Sequence, residues 1–154
     1  MPLVNVLVVL LVLLGAAGLL LWNRLAATCA RRIEVPAGDL EELFYGGVMC
    51  RWVMTSGALV RLEFFDWGVR LRGMLISRWI VPTWEAKYEE LAIAELVALP
   101  ASRIAVCFRL RGGEANPIAF LSDRSPSILP ELEKHGVPVN RSVTKIRRAR
   151  EIYQ

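Results

Sequence analysis

The chain has 154 residues, with 19 Lys and Arg against 15 Asp and Glu, and a formal net charge of +4. Without its uncharged amino-terminal stretch the chain has about 130 residues, enough for one compact domain. The basic residues in excess are spread along the chain and form no recognisable motif, which argues against nucleic-acid binding. Three cysteines without a C-x-x-C pair and a single histidine argue against a zinc site and against a disulfide framework.

The amino-terminal stretch from Leu3 to Trp22 contains no charged residue, and Arg24 follows it closely. A helix of this length spans about 30 Å, the thickness of the hydrocarbon core of a bilayer. We therefore predict a single-pass transmembrane anchor over residues 1–24. A cleaved signal peptide, or a lipoprotein signal ending at Cys29, is the alternative, although signal peptides carry a basic start and a shorter apolar core. Because basic residues follow the stretch, the sequence predicts a cell-membrane protein with a cytoplasmic carboxyl-terminal domain.

Residues 25–47 are predicted to be a connector that contains a short helix. Asp39 and Glu42 have the spacing of a capping box, and Gly46 with Gly47 would end the helix after about two turns. Cys29 in this connector is expected to be an idle thiol, with acylation as the alternative. The thiols of Cys50 and Cys107 are expected to be buried or half-buried.

Residues 48–139 are predicted to form one domain of antiparallel strands. The strict alternation of Val69-Arg70-Leu71-Arg72 is typical of a sheet with one face in water. Leu91–Leu99 also suits a helix, but the neighbouring strands and Pro100 favour a strand. The predicted strands cover residues 48–54, 58–65, 69–72, 74–81, a segment starting at Trp84, 91–99, 104–110 and 117–121. The side chains predicted to lie in the core are Leu62, Leu71, Phe108 and Leu132.

A helix capped by Ser125 or Ser127 follows, and a Schellman contact between Leu132 and Val137 is expected to end it. His135 near its carboxyl end suits the helix dipole, which favours a structural role for the only histidine. Residues 140–154 form a basic tail, either a frayed helix or a strip in contact with anionic lipid.

Three segments resemble the small bacterial membrane-anchored proteins with a pleckstrin-homology-like (PH-like) domain, a family of poorly defined function. They are Arg61-Leu62-Glu63 with Asp66-Trp67-Gly68-Val69-Arg70-Leu71-Arg72, then Val81 to Leu91, and Leu129 to Val139. The resemblance covers about Ala58 to Val139. It implies an α+β fold, in which a transmembrane helix precedes an antiparallel PH-like β-barrel or sandwich closed by a carboxyl-terminal helix. No Trp lies between Ser125 and Gly136 and no dense basic hairpin is present, so phosphoinositide binding is not implied.

The functional prediction starts from the absence of a catalytic motif, since no Ser-His-Asp set, buried acid pair, phosphate loop or metal cluster can be assembled. We predict no enzyme activity, cofactor or metal, and a membrane-tethered interaction module that binds a protein partner or itself at the inner face of the membrane. An anionic lipid-headgroup binder is the alternative. Arginines two apart on a strand share a face and can bind phosphate or carboxylate. The candidate lipid or partner contacts are Arg70, Arg72, Arg109, Arg111, Arg141, Lys145, Arg147, Arg148 and Arg150.

Overall fold

The computed structural model describes residues 2–35, 37–50, 53–55, 57–74, 77–78, 81–99, 103–113 and 116–146. Secondary structure within these residues includes two α-helices, the 3₁₀-helix Tyr88–Glu90 and nine strands. In chain order they are α1 (Pro2–Ala27), β1 (Leu40–Cys50), β2 (Val53–Met54), β3 (Val60–Phe65), β4 (Gly68–Gly73), β5 (Trp84–Lys87), the 3₁₀-helix Tyr88–Glu90, β6 (Leu91–Leu99), β7 (Arg103–Leu110), β8 (Ile118–Leu121), α2 (Ser125–Lys134) and β9 (Val139–Lys145).

The strands form one sheet in the order β5-β4-β3-β1-β8-β7-β6-β9, with β2 as an extra partner of β1. Strand β1 joins the two halves, because it pairs with β3 up to Gly46 and with β8 from Gly47 onward. A Cβ atom at Gly46 would lie 2.1 Å from the carbonyl oxygen of Leu121, so this close crossing requires glycine. The two halves are therefore β3–β5 on one side of β1 and β6–β9 on the other.

The core lies between the inner faces of the two halves and α2. The predicted core residues Leu62, Leu71, Phe108 and Leu132 are all 0% exposed, which confirms them. The end of α2 is also confirmed, because the N–H of Val137 donates to the carbonyl oxygen of Leu132 at 3.1 Å. Gly136 has a φ of +74° there, a conformation that glycine adopts without strain. Helix α2 is thereby turned back towards the sheet and leads into β9.

Most of the predicted strands are confirmed. These are the ones over 58–65, 69–72, 91–99, 104–110 and 117–121 and the one starting at Trp84. The strand predicted over 48–54 corresponds to the end of β1 and to β2, with residues 51–52 outside the described ones.

The helix predicted after Asp39 is wrong, because these residues begin β1. Leu43 pairs with Glu63 of β3, and the Phe44 ring packs edge-on against Phe64 at a centroid distance of 5.7 Å. The apolar spacing that suggested a helix is instead used in a sheet whose long-range pairing outweighs local propensity.

The strand predicted over 74–81 is also wrong for its described residues. Met74, Ser77 and Val81 belong to a turn, in which the N–H of Val81 donates to the carbonyl oxygen of Ser77 at 2.7 Å. The hydroxyl of Ser77 donates to the carbonyl oxygens of Leu59 and Met74. These bonds use backbone groups that a strand ladder would need.

The start of the carboxyl-terminal tail is not a frayed helix. Val139–Lys145 forms β9, which pairs in parallel with β6. The predicted PH-like antiparallel barrel closed by a carboxyl-terminal helix is therefore wrong. The sheet of described strands is mixed and open, with β5 and β9 at its two ends, and a strand follows α2.

Helix α1 exposes its apolar side chains, and the large ones between Val6 and Leu21 are 51% to 67% exposed. Among the described residues, no helix has both the length and the apolar character needed to cross a membrane. This finding contradicts the predicted anchor over 1–24, and with it the single-pass cell-membrane location with a cytoplasmic carboxyl-terminal domain.

Candidate functional site

The outer face of β3, β4 and β5 carries charged side chains in register. Arg61 lies opposite Arg72, and Glu63 lies opposite Arg70, which in turn neighbours Glu85 on β5. These five alternate with core residues along their strands, so they share the face that points away from the core. We call this set, Arg61, Glu63, Arg70, Arg72 and Glu85, the arginine face.

Ion pairs hold the arginine face in place. The Glu63 carboxylate lies 2.6 Å from Nε of Arg61 and accepts a hydrogen bond from Nε of Arg72 at 3.1 Å. Nε of Arg70 donates to Glu85 at 2.7 Å. Glu63 is only 3% exposed, and this burial raises the pKa of its carboxyl, an effect that Arg61 and Arg70 partly offset. The two carboxylates therefore fix the three guanidinium groups before any ligand arrives.

Aromatic rings fix Arg70 further. Its guanidinium carbon lies 4.9 Å from the centroid of the Phe65 ring and 5.6 Å from that of Trp67. The two rings stack on each other at 5.2 Å. Cation–π contact of this kind attracts the Arg70 guanidinium to the rings and favours the orientation in which it also bonds Glu85.

Residues 31–35, which we call the crossing segment, run beside the arginine face. The N–H of Arg31 donates to the carbonyl oxygen of Thr83 at 3.1 Å, and the N–H of Glu85 donates to the carbonyl oxygen of Arg31 at 2.9 Å. The N–H of Ile33 donates to the Glu85 carboxylate at 3.1 Å. The crossing segment is thus attached to β5 through its backbone and to the arginine face through Glu85.

Arg31 also pairs with Glu90 through both terminal nitrogens, at 2.6 and 3.1 Å. Burial acts to raise the pKa of Glu90, but the hydrogen bonds from Arg31 and from the N–H of Lys87 outweigh it, so the pKa is lowered. This bidentate ion pair anchors the start of the crossing segment to the 3₁₀-helix after β5.

An open cavity of 490 Å³ lies between the crossing segment and the arginine face. Its lining residues are Arg32, Ile33, Glu34, Val35, Arg70, Arg72, Thr83 and Glu85. The Arg72 side chain is 37% exposed, and within the described residues its hydrogen bonding uses only Nε. Its terminal nitrogens can therefore take a planar anion such as a carboxylate or phosphate.

A wider groove of 860 Å³ lies where β1 changes partner. Tyr45, Ile104, Leu121 and Arg124 are among the residues that line it. Among the residues that the structure describes, none of the predicted contact residues lines this groove, and its lining residues form no ion pair comparable to those of the arginine face.

The other predicted contact residues that the structure describes do not line this cavity. Arg109 on β7 donates through Nε to Glu95 at 2.7 Å, and this hydrogen bond raises its pKa. Arg111 donates to the carbonyl oxygen of Leu91 at 3.3 Å. Arg141 on β9 pairs with Glu133, and Lys145 lies exposed at the end of that strand. Arg147, Arg148 and Arg150 lie outside the described residues.

The cysteines differ from the prediction. Cys29 and Cys50 form a disulfide, with Cα atoms 6.1 Å apart, so the free thiols predicted at these two positions are wrong. The predicted burial of Cys50 is confirmed, since it is 2% exposed. Cys107 is buried, and burial raises the pKa of its thiol to about 12. A thiol with so high a pKa is a poor nucleophile.

No family of known proteins is shown for this chain. No protein-family model matches it, and the search of curated proteins finds no match. The resemblance to PH-like proteins stays a prediction. Within the described part of the chain, no group of three or more His, Cys, Asp or Glu side chains is placed to hold a metal ion. His135 stacks on Tyr88 at 4.0 Å and pairs with Glu41 at 2.9 Å.

Sequence reasoning missed the carboxylates Glu63 and Glu85 as members of the site. A signal for Glu63 was present, since the turn at Asp66 and Trp67 fixes the hairpin register that sets it opposite Arg70. The pairing of Glu85 with Arg70 and the path of the crossing segment depend on contacts between distant parts of the chain, which no spacing in the sequence indicates.

Proposed function

We propose that this chain is a non-catalytic interaction module that binds a protein partner at the cavity between the crossing segment and the arginine face. The observation that carries the proposal is the exposed Arg72 guanidinium, whose Nε is held by the buried carboxylate of Glu63. A guanidinium that is already oriented loses less conformational freedom on binding, which favours recognition.

The charges of the arginine face favour a protein over a lipid headgroup. Its three arginines face two carboxylates. In the crossing segment Arg31 is paired with Glu90, and the cavity wall gains one further charge of each sign through Arg32 and Glu34. The net positive charge is therefore small, whereas binding to anionic lipid depends on accumulated positive charge. The half-buried Ile33 and Val35 add apolar surface beside the polar groups. Such a mixture suits an extended polypeptide that presents one carboxylate to Arg72.

The test is binding of the full chain to an array of extended peptides. Each peptide with an Asp or Glu is matched by one with Asn or Gln at the same position. We expect some acidic peptides to bind and Arg72→Ala to weaken them about ten- to hundredfold, because a charge-assisted pair contributes roughly 1.5–3 kcal/mol. Arg111→Ala is the matched control, since Arg111 lies on the other half of the sheet, and it should leave binding unchanged.

Vesicles of phosphatidylglycerol with phosphatidylcholine, against phosphatidylcholine alone, form the second arm. If the chain binds the phosphatidylglycerol vesicles and Arg72→Ala abolishes this binding, the ligand of the site is an anionic lipid and not a protein partner. Peptide binding that is equal for acidic and amide peptides, or that Arg72→Ala leaves intact, would contradict this site.

A further inference from the structure

The Cys29–Cys50 disulfide lies where the cavity wall begins. Cys29 precedes Arg31, the first residue of the crossing segment, by two positions, and Cys50 ends β1. The pair joins residues 21 positions apart. Cys29 is 5% and Cys50 2% exposed. The disulfide therefore connects the start of the crossing segment to the long strand that links the two halves of the sheet.

Among the described residues, the other attachments of the crossing segment are few and only partly buried. They are the two backbone hydrogen bonds of Arg31, the bonds of its side chain to Glu90 and to the carbonyl oxygen of Glu85, and the bond from Ile33 to Glu85. The side chains of Arg31 and Glu90 are 25% and 31% exposed, so water partly screens their ion pair. Segments with few buried contacts open locally at low free energy. A covalent link next to Arg31 restricts such opening.

We propose that the Cys29–Cys50 disulfide is a structural latch that holds the crossing segment against β5 and so completes the cavity. Forming it removes two electrons and two protons from the two thiols. A disulfide-exchange catalyst accepts them and becomes a dithiol. Because both sulfurs are buried after folding, later exchange with free thiols is hindered. The latch requires folding in an oxidising compartment. Only its consequence for binding rests on the proposed function.

The first experiment identifies the thiols. The full chain, made in an oxidising compartment, is denatured without reductant and alkylated. We expect one alkylated residue, Cys107, and a cross-linked peptide pair that contains Cys29 and Cys50. Alkylation at all three cysteines would overturn the proposal.

The second experiment measures amide exchange without any partner. In the double variant Cys29→Ala and Cys50→Ala, we expect the amides of Arg31 and Ile33 to exchange at least tenfold faster, while those of β7 stay protected. Cys107→Ala is the control and should leave Arg31 and Ile33 unchanged. Unchanged exchange in the double variant would overturn the latch. Loss of protection throughout the sheet would also overturn it, since the disulfide would then support the whole domain.

Both readouts are independent of the peptide array. Should the arginine face bind no peptide, the mass and exchange results still decide whether the latch exists. Should the latch fail, peptide binding through Arg72 is still measurable in the parent chain.

Discussion

The two halves of the sheet share one core but differ on their outer faces. In β3–β5 the outer face is charged, and its carboxylates and arginines pair with each other. In the half that contains β6–β8 the outer face is a second apolar cluster. Its members are Met49, Val97, Leu99, Ala105, Cys107, Ala119, Leu121 and Ile146.

The difference shows in β7, where Ala105, Val106, Cys107 and Phe108 are all fully buried. Alternate side chains of this strand face opposite sides, so both faces of the sheet are covered there. Ile146, just after β9, is one of the residues that cover the outer side. The apolar outer face is buried within the folded chain, whereas the face of oriented charges borders an open cavity and can still bind a partner.

The largest expected effect comes from the core that the two halves share. Phe108→Ala should lower the free energy of unfolding by about 3–5 kcal/mol, because it leaves a large cavity. Phe108 lies 5.8 Å from Trp84 between ring centroids, so the truncation affects both halves. Urea unfolding should show one transition by tryptophan fluorescence and by circular dichroism. Leu59→Ala, at an exposed position, is the control. Two separate transitions would mean that the halves fold independently.

A smaller effect is expected on the charged face. Glu63→Ala should lower the free energy of unfolding by about 1–3 kcal/mol, because it leaves the guanidinium groups of Arg61 and Arg72 without their carboxylate. Glu95→Ala on the other half removes only the pairing with Arg109, whose side chain is 34% exposed, and should lower it by less than about 1 kcal/mol. Chemical denaturation of both variants gives the comparison. Equal losses would show that burial does not distinguish the two networks.

How far the sequence predicts each half depends on how local the determining contacts are. The hairpin of β3 and β4 could be predicted, because its turn and its alternation lie within fourteen positions of Val60–Gly73. The start of β1 could not, because the pairing of Leu43 with Glu63 joins residues twenty apart and a capping-box spacing suggested a helix instead. Strand β9 was missed because its middle residues face solvent and show no apolar period.

The cysteines show the same limit. Nothing in the spacing of Cys29 and Cys50 indicates that the segment after α1 returns to the end of β1. Of the candidate site, Arg70 and Arg72 could be predicted, since strict alternation puts them on one outward face. Their carboxylate partners on other strands, and the crossing segment that forms the cavity wall, depend on tertiary contacts.

The smallest expected effect is on the pH dependence of stability. It distinguishes Glu63, in the interior of the charged face, from Glu90, which pairs with Arg31 at its edge. Burial raises the pKa of Glu63 above its ordinary value of 4.5. The stability linked to this group is therefore fully present below about pH 4.5, and it is lost as the pH rises through the folded-state pKa. The pKa of Glu90 is lowered, since the bonds from Arg31 and Lys87 outweigh burial. Its contribution is present above about 4.5 and is lost as pH falls through the folded-state pKa.

Glutamine variants turn this contrast into a measurement. Glu63→Gln also removes the ion pairs with Arg61 and Arg72, which offsets its stability from that of the parent, but the difference should shift in favour of the variant as pH rises above about 4.5, because the parent then ionises a group that is harder to ionise in the folded state. For Glu90→Gln the difference should shift in favour of the parent as pH rises towards about 4.5 and should level off above that, because the folded parent holds this carboxylate charged at a lower pH than the unfolded chain does. Urea midpoints at several pH values, converted to free energies, give the two slopes. Slopes of the same sign would show that Arg31 does not outweigh burial at Glu90, or that Glu63 is less buried than its position between Arg61 and Arg72 indicates.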